Sequence, residues 1–239
     1  MRYTNNRNNI AGHVTDQALD NTDRDNCQSV LDAVQEQNSS KLKHFSANEI
    51  IHREGDPVDR VYIILNGIVK LVSYLPNGRA RIIRLHNSNQ WLGLEGLTGQ
   101  LYEHTAVAVG DVEVNYVPIS SLRDLEQQDP WQYSQILKHV YRHLAQADKW
   151  IADFSTGGIK PRVARLLFFL SDIKYGKSSS LIDLLTVQEM ADILGVTQES
   201  VSRILADFKR KDTLSKPENE TSDETYEIDQ RELGNEASQ

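Results

Sequence analysis

The sequence predicts an α+β protein with an N-terminal antiparallel β-roll, a long helix and a C-terminal winged helix-turn-helix. Short β-branched runs alternate with turn signals between Phe45 and Pro118, as in antiparallel barrels and sandwiches. Neither glycine nor proline occurs from residue 131 to residue 154, as expected for an uninterrupted helix. Residues 186–211 then place two short amphipathic segments around a glycine, which is typical of a helix-turn-helix.

These patterns divide the chain into four parts. We expect a flexible arm in residues 1–22, a β-roll domain in 23–128, the long helix in 129–155 and the winged helix-turn-helix domain in 156–239. Before the β-roll, the helical spacing of Val30, Leu31 and Val34 predicts a short helix over Asn26–Gln37.

Composition limits the class of protein. With 239 residues the chain suits two domains, and no apolar run approaches the roughly 20 residues of a membrane span. The N-terminal residues lack the apolar core of a signal peptide, so we expect a cytoplasmic location and no membrane partner. Cys27 is the single cysteine, which excludes an internal disulfide and an all-cysteine iron-sulfur or zinc site within one chain.

Charge is distributed unevenly along the chain. The net charge of −8 argues against a protein that coats nucleic acid nonspecifically. Residues 157–214 nevertheless contain nine basic and seven acidic residues, whereas residues 215–239 contain two basic and eight acidic ones. Any phosphate contacts should therefore come from few residues, with modest nonspecific affinity.

The predicted β region contains short runs with period-two alternation. These runs are EIIHRE, RVYIIL, GIVKLVSYL, ARIIRLH, HTAVAV and VEVNYV. Asn66-Gly67 and Asn77-Gly78 are turn signals, and the second predicts a hairpin with a type I′ turn. This many strands without intervening helices indicates an antiparallel barrel or sandwich.

Asp129 as N-cap and Pro130 as the first helical residue begin the predicted long helix. Its apolar residues repeat at alternating intervals of four and three, the spacing of a heptad seam. They are Tyr133, Leu137, Val140, Leu144, Ala147 and Ile151. We interpret the last five as a dimer interface; the alternative that spacing leaves open is a helix lying on the β-roll.

The residues Ser155-Thr156-Gly157-Gly158 should end this helix and form the hinge between the two halves of the chain. Pro161 is expected to open the next helix. Helical spacing predicts that this helix buries an apolar side and leaves Arg162 and Arg165 outside.

The helix-turn-helix follows from its caps. Thr186 and Glu189 form a capping box that starts the first helix, and Gly195 ends it. Thr197 is a second N-cap. The second helix then places apolar side chains at helical spacing on one face, which we expect to be core: Val201, Ile204, Leu205 and Phe208.

The opposite face of the second helix contains residue types that contact bases. Glu199, Ser202 and Arg203 share this face at i, i+3 and i+4, with Thr197 and Gln198 beside them at the N-terminal end. Arginine can bond guanine with both guanidinium arms, glutamate can accept from cytosine, and serine can bond either kind of edge. The alternative is a solvated helix face, but the complete helix-turn-helix frame favours DNA recognition.

A wing is predicted after the second helix. Leu214–Ser215 and Thr225–Ile228 could pair as its two strands, followed by a short final stretch through Leu233. The intervening loop is acidic, so contact with the minor groove is not expected.

Taken together, residues 43–233 resemble the cyclic-AMP receptor protein and fumarate-nitrate regulator (CRP/FNR) family of bacterial transcription regulators. The segment FSANEIIHREGDPVDRVYIILNGIVKLV is similar to the start of the family's effector-binding β-roll, and DPWQYSQILKHVYRHLAQADKW to its dimer helix. LTVQEMADILGVTQESVSRIL is similar to its helix-turn-helix, with the E-x-x-S-R signature of the FNR branch. The resemblance implies a homodimer that recognises a palindromic promoter site with TTGAT-like half-sites and acts with RNA polymerase.

The resemblance also implies an effector pocket, where this sequence departs from the pattern of cyclic-AMP binders. The corresponding positions are Gly93, Glu95, His104, Thr105, Ala147 and Asp148. His104 and Thr105 replace the family's Arg-Ser clamp, and histidine lacks the fixed charge and bidentate grip of arginine. Asp148 would repel a phosphate. We therefore expect no tight binding of cyclic AMP, and the effector stays unknown.

Other classes are less well supported by the residues. A haem-sensing member stays open, with candidate axial ligands in His44, His52, His86, His104, His139 and His143, although surface or structural roles are favoured and no metal ligands are assigned. A redox role for Cys27 ranks below haem. A cyclic-nucleotide-binding module that controls a protein partner also stays open, although the helix-turn-helix and its E-x-x-S-R face argue against it. No nucleophile with a base and no phosphate loop occurs, so we do not expect an enzyme.

Overall fold

The computed structural model of the chain describes residues 41–176, 179–217 and 225–238. The predicted arm in residues 1–22 and the predicted helix Asn26–Gln37 lie outside the described residues. Within the described part, an N-terminal β-roll, a long helix and a C-terminal helical domain follow one another. The predicted α+β architecture is thereby confirmed.

Two antiparallel four-stranded sheets form the β-roll, in the orders β1-β8-β3-β6 and β2-β7-β4-β5. Their strands are β1 (Lys41–Phe45), β2 (Ile50–His52), β3 (Arg60–Asn66), β4 (Val69–Tyr74), β5 (Ala80–His86), β6 (Trp91–Leu92), β7 (Thr105–Ala108) and β8 (Val112–Pro118). A 3-10 turn over Leu94–Thr98 follows β6.

Strand β3 shows how the β-roll is held between two cores. Tyr62 and Ile64 point into the space between the sheets, whereas Val61 and Ile63 pack on the other side against helices. Because side chains alternate along a strand, this seven-residue strand serves both cores. All four of these residues are buried.

The hairpin between β4 and β5 differs from the prediction in its turn. The Leu75 amide donates to the Arg79 carbonyl around a three-residue loop, Pro76-Asn77-Gly78, and only Gly78 of the loop has a positive φ, of 78°. A type I′ turn needs positive φ at both central residues, so the predicted turn type is wrong although the hairpin itself is present. Pro76 fixes the start of the loop at negative φ, which disfavours the two-residue turn.

Six helices occur in the described part of the chain. They are α1 (Ile119–Gln128), α2 (Pro130–Ser155), α3 (Ile159–Tyr175), α4 (Val187–Leu194), α5 (Gln198–Arg210) and α6 (Gln230–Ala237). Helix α1 was not predicted, because its ten residues, ISSLRDLEQQ, contain only three apolar residues. Helix α2 begins after the N-cap Asp129, whose side chain accepts a hydrogen bond from the Gln132 amide, as predicted.

The C-terminal domain combines α3 to α6 with a three-stranded sheet in the order β10-β11-β9. Its strands are β9 (Leu181–Asp183), β10 (Leu214–Ser215) and β11 (Thr225–Ile228). The predicted pairing of β10 with β11 is confirmed, while β9 was not predicted. The expected final stretch through Leu233 is the helix α6, in which Leu233 is buried. Helix α3 begins two residues before Pro161, with Gly158 as N-cap.

The hydrophobic core of the C-terminal domain extends onto the β-roll. Val72, Ile82 and Leu85 of the β4–β5 hairpin belong to the same buried cluster as Met190 and Leu194 of the helix-turn-helix. An ion pair between Lys70 Nζ and Glu189 Oε1, 2.6 Å apart, crosses the same boundary. The helix-turn-helix therefore lies docked on the β-roll of its own chain.

Candidate DNA-binding face and effector cavity

The helix-turn-helix has the caps that the sequence predicts. Thr186 and Glu189 form a reciprocal capping box at the start of α4, and Gly195 ends α4 in the left-handed conformation with φ 64°. The Thr197 side chain accepts a hydrogen bond from the Ser200 amide at the start of α5. These caps fix the orientation of α5 relative to α4, since each one satisfies backbone groups at a helix end.

The two faces of α5 differ in burial. Val201, Leu205 and Phe208 are buried and Ile204 is half-buried, which anchors one face in the core. On the other face all five residues predicted to contact DNA are exposed: Thr197, Gln198, Glu199, Ser202 and Arg203. This side of α5 is therefore free to enter a groove, and its docking on the β-roll does not cover it.

Hydrogen bonds and charge fix the side chains of this face. The Gln198 amide donates to Gln188 of α4, which joins the two helices at their exposed ends. The backbone amide of Glu199 and the Thr197 hydroxyl lower the pKa of the Glu199 carboxyl, so that it is a charged acceptor at neutral pH. Within the described ranges Arg203 makes no ion pair, which leaves its guanidinium donors available.

Helix α2 exposes the predicted apolar stripe. Leu137, Val140, Leu144 and Ile151 are all exposed, with Leu144 60% accessible, and Ala147 is half-buried. The other side of α2 packs on the β-roll through Ile136 and the half-buried Tyr133. One face of the helix thus lies on the β-roll, and the opposite face presents an uncovered apolar seam. The two interpretations of the heptad spacing, a helix packed on the β-roll and a dimer interface, therefore describe opposite faces of α2.

Arg162 and Arg165 do not project into solvent as predicted. Arg162 donates to the backbone carbonyls of Phe154, at 2.7 Å, and of Leu194. Arg165 donates to the carbonyls of Asp153 and Thr156 beside the predicted hinge, at 2.8 and 2.9 Å. Both guanidinium groups satisfy carbonyls at helix ends, which is why these side chains fold back on the protein.

A cavity of about 160 Å³ lies between the β-roll and α2. It is lined by His52, Leu71, Arg84, His86, Trp91, Leu92, Gly93, Leu94, Glu95, Glu103, His104 and His143. Of the residues predicted for the effector pocket, Gly93, Glu95 and His104 line it. Thr105, Ala147 and Asp148 do not: the buried Thr105 hydroxyl accepts from the Glu54 amide, at 3.1 Å, and Asp148 is exposed.

Burial and mutual repulsion keep the cavity histidines neutral. Burial lowers the pKa of His52 to about 4. Burial and the Arg84 charge lower the pKa of His143 to about 3, and burial and His143 hold that of His86 well below its usual range. The pKa of His104 is also lowered by burial. At neutral pH the wall therefore offers imidazoles that can each donate one hydrogen bond and accept another.

The sequence predicts most of these histidines only as candidate haem ligands, and it gives no signal for Arg84. The register of strand β5 explains why their position at the cavity is not evident from the sequence. Val72 pairs with Ile82 but Leu71 pairs with Arg84, so Ile83 is an extra residue in a β-bulge. The bulge places Ile82 and Leu85 on the side of the helix-turn-helix, and Arg84 and His86 on the side of the cavity.

No group of three or more His, Cys, Asp or Glu side chains in the described ranges is arranged to hold a metal ion. In the same ranges, no helix has the length and apolar composition needed to cross a bilayer.

Comparison with known proteins gives matches in both domains. Residues 42–129 match the family model of the cyclic nucleotide-binding domain, and residues 161–231 match that of the Crp-like helix-turn-helix domain. The chain belongs to the CRP/FNR family. It is therefore a transcription regulator with a DNA-binding helix-turn-helix, and not an enzyme, as the sequence predicts.

Individual CRP/FNR regulators are similar over most of their length. The transcriptional regulator LdrP of Thermus thermophilus is 28% identical over 176 residues, which cover 73% of this chain and 87% of LdrP. A CRP-like cAMP-activated global transcriptional regulator of Mycobacterium tuberculosis is 26% identical over 171 residues, 70% of this chain and 76% of that protein. The crystal structure of the CRP-family regulator TTHB099, also from Thermus thermophilus, superposes with a TM-score of 0.70 at 25% identity, covering 82% of this chain and 97% of that one.

Proposed function

We propose that the protein is a homodimeric regulator in which α5 of each subunit contacts one half of a palindromic promoter site with TTGAT-like half-sites. In this proposal it acts in the cytoplasm together with RNA polymerase. Glu199, Ser202 and Arg203 contact base edges, while Thr197 and Gln198 contact the adjoining backbone or bases. The exposure of all five side chains on a helix whose opposite face is buried supports this proposal most strongly.

The dimer follows from the exposed seam of α2. Four large apolar side chains at heptad spacing are uncovered in the single chain, and pairing with the same seam of a second copy would remove them from water. A two-fold axis along α2 would relate two copies of α5, and a palindromic DNA site has the matching symmetry.

We also propose that the β-roll is a sensor domain that does not bind cyclic AMP tightly. Its cavity has His104 where cyclic-AMP binders have an arginine, and Thr105 is engaged with the Glu54 amide instead of facing the cavity. Among the described residues that line the cavity, only Arg84 supplies a fixed positive charge, and it already donates to the His143 carbonyl at 2.9 Å. The relative from Mycobacterium tuberculosis is cAMP-activated, so this difference separates two members of one family.

Binding of the purified full-length protein to a labelled TTGAT-type palindrome, with and without cyclic AMP, tests this function. We expect specific binding to the palindrome, no dependence on cyclic AMP and no Soret band in the absorption spectrum. Binding only in the presence of cyclic AMP would contradict the proposed sensor chemistry, and a Soret band would favour haem sensing. A failure to prefer the palindrome over a scrambled duplex would contradict the proposed half-site.

A further inference from the structure

Two opposite charges face the cavity without forming an ion pair. Arg84 and Glu95 both line it, and Glu95 acts on Arg84 electrostatically, yet no ion pair joins them among the described residues. Arg84 uses one guanidinium nitrogen on the His143 carbonyl. The Glu95 carboxylate accepts from the Glu103 amide, at 3.4 Å. Charged groups in a partly desolvated site normally meet a partner, so the space between these two is where a ligand with both charges would fit.

The wall of the cavity also contains buried polar atoms without partners. Among the described residues, no protein group bonds either ring nitrogen of His86 or the indole nitrogen of Trp91, and His86 is only 2% exposed and Trp91 1%. The same holds for His143 Nε2. An unsatisfied buried donor or acceptor costs free energy, so a polar ligand that turns these side chains toward the cavity would recover part of that cost.

The size of the cavity limits the ligand. A protein cavity of about 150 Å³ accommodates a benzene-sized molecule, and this one measures about 160 Å³. A ligand that fills this volume has room for two small polar groups. Among the described residues the histidines do not form a metal-binding group, so a bare transition-metal ion does not explain their arrangement.

We propose that the cavity binds a small free α-amino acid, with its carboxylate toward Arg84 and its ammonium group toward Glu95. The half-buried His104, which lines the cavity, then adds a hydrogen bond to the carboxylate or the ammonium group. Glu103 is exposed at the rim and adds negative charge on the side of the ammonium group. The proposal rests on the proposed sensor role of the β-roll and gives that sensor a ligand class.

The same contacts would link the ligand to the dimer helix. Arg84 bonds the backbone of His143 in α2, and His143 itself lines the cavity. The Gln90 side chain also donates to Gln146 of α2, at 2.9 Å. A ligand that draws Arg84 inward would therefore act on α2 directly, next to the seam that we assign to the partner subunit.

Calorimetric titration of the full-length protein, without DNA, tests this proposal. The probes are glycine, L-alanine and L-serine, with propionate as the carboxylate alone and ethylamine as the amine alone. We expect saturable binding of at least one amino acid, and at least about tenfold weaker binding of propionate and ethylamine, because each one loses a charge-assisted hydrogen bond.

Two variants locate the ligand. Arg84→Gln and Glu95→Gln should each weaken binding of the amino acid by about tenfold or more, whereas the exposed Arg79→Gln and Glu126→Gln should leave it unchanged. Thermal unfolding of the unliganded variants checks that they fold, and if Arg84→Gln does not, Arg84→Lys replaces it.

The proposal fails if none of the three amino acids binds, if propionate binds as tightly as alanine, or if both cavity variants bind like the wild type. Because no DNA is present, each of these results leaves the proposed promoter recognition untouched. Loss of palindrome binding with intact amino-acid binding would instead contradict the proposed function alone.

Discussion

The recognition face of α5 and the cavity of the β-roll differ in how their polar groups are satisfied. On α5 the polar side chains are exposed, so water can hydrogen-bond to all of them. Each polar group on that face therefore has a hydrogen-bond partner when DNA is absent. In the cavity, His86 and Trp91 are buried and no described protein group bonds their ring nitrogens, so the polar groups of that site are satisfied less completely. The recognition face and the cavity are joined within one chain by α2 and by the docked β4–β5 hairpin.

The largest expected effect concerns the seam that brings two recognition faces together. Leu144→Asp should separate the dimer, because a carboxylate would be buried in the heptad seam, and should weaken palindrome binding on the order of 10²-fold through loss of the second half-site. Analytical ultracentrifugation and a gel shift measure the two effects. The control is Leu101→Asp, at an exposed leucine of the β-roll. A monomeric Leu144→Asp protein that still bound tightly would contradict the dimer.

The next effect tests whether the recognition face contacts bases. Arg203→Ala should cost about 1–3 kcal/mol per contacted guanine and relax the preference at that position of the half-site. Arg210→Ala, at the end of α5, should weaken all sequences alike and by less. Competition with a set of single-substituted duplexes measures both. Unchanged sequence preference in Arg203→Ala would show that α5 does not lie in the groove as proposed.

The buried histidines of the cavity should make the stability of the protein depend on pH. The pKa of His52 is about 4 and that of His143 about 3 in the folded protein, below the ordinary value of 6.5. The unfolded chain therefore binds more protons below pH 6.5, and stability falls as the pH decreases toward these values. At pH 5.5 each such histidine should cost about 1.4 kcal/mol relative to pH 7.5.

Urea unfolding at pH 7.5 and pH 5.5 measures this loss. His143→Phe should reduce the loss, whereas His44→Phe, at an exposed histidine of β1, should not. The interval from pH 5.5 to pH 7.5 lies above the range in which the carboxylates with lowered pKa values titrate. These carboxylates therefore contribute little to the loss of stability in this interval. An equal loss in the wild type and in His143→Phe would contradict the buried, neutral state of this imidazole.

The smallest effect concerns the ion pair between Lys70 of the β-roll and Glu189 of the helix-turn-helix. Burial would raise the pKa of Glu189, but hydrogen bonds from Lys70 and Thr186 outweigh it and lower that pKa. Lys70→Met should therefore destabilise the protein by about 1 kcal/mol, since the pair is only 13% and 18% exposed. Glu189→Gln is the matched change, because glutamine retains the capping box without the charge. A double-mutant cycle by urea unfolding should give a coupling energy of similar size, and additive effects would remove the ion pair as a link between the domains.

Much of the fold could be predicted because its signals are local. The Thr186–Glu189 capping box, Gly195 and the Thr197 cap are a few residues apart in sequence, and their geometry follows from satisfying the ends of single helices. The period-two runs likewise predict strands whichever sheet they join. Helix α1 and strand β9 were missed, because the first has few apolar residues and the second only three residues in all.

The sequence by itself determined the order of most elements, the family and which face of α5 is exposed. These depend on short-range periodicity, in which a buried face at helical spacing leaves the opposite face to solvent. Only the tertiary structure decided which residues form the cavity. Arg84, His86, Glu95 and His143 are brought together from β5, the 3-10 turn and α2 by a β-bulge at Ile83 and by the packing of α2. A single extra residue in a ladder reverses which side each following side chain faces, and alternation along one strand does not reveal it.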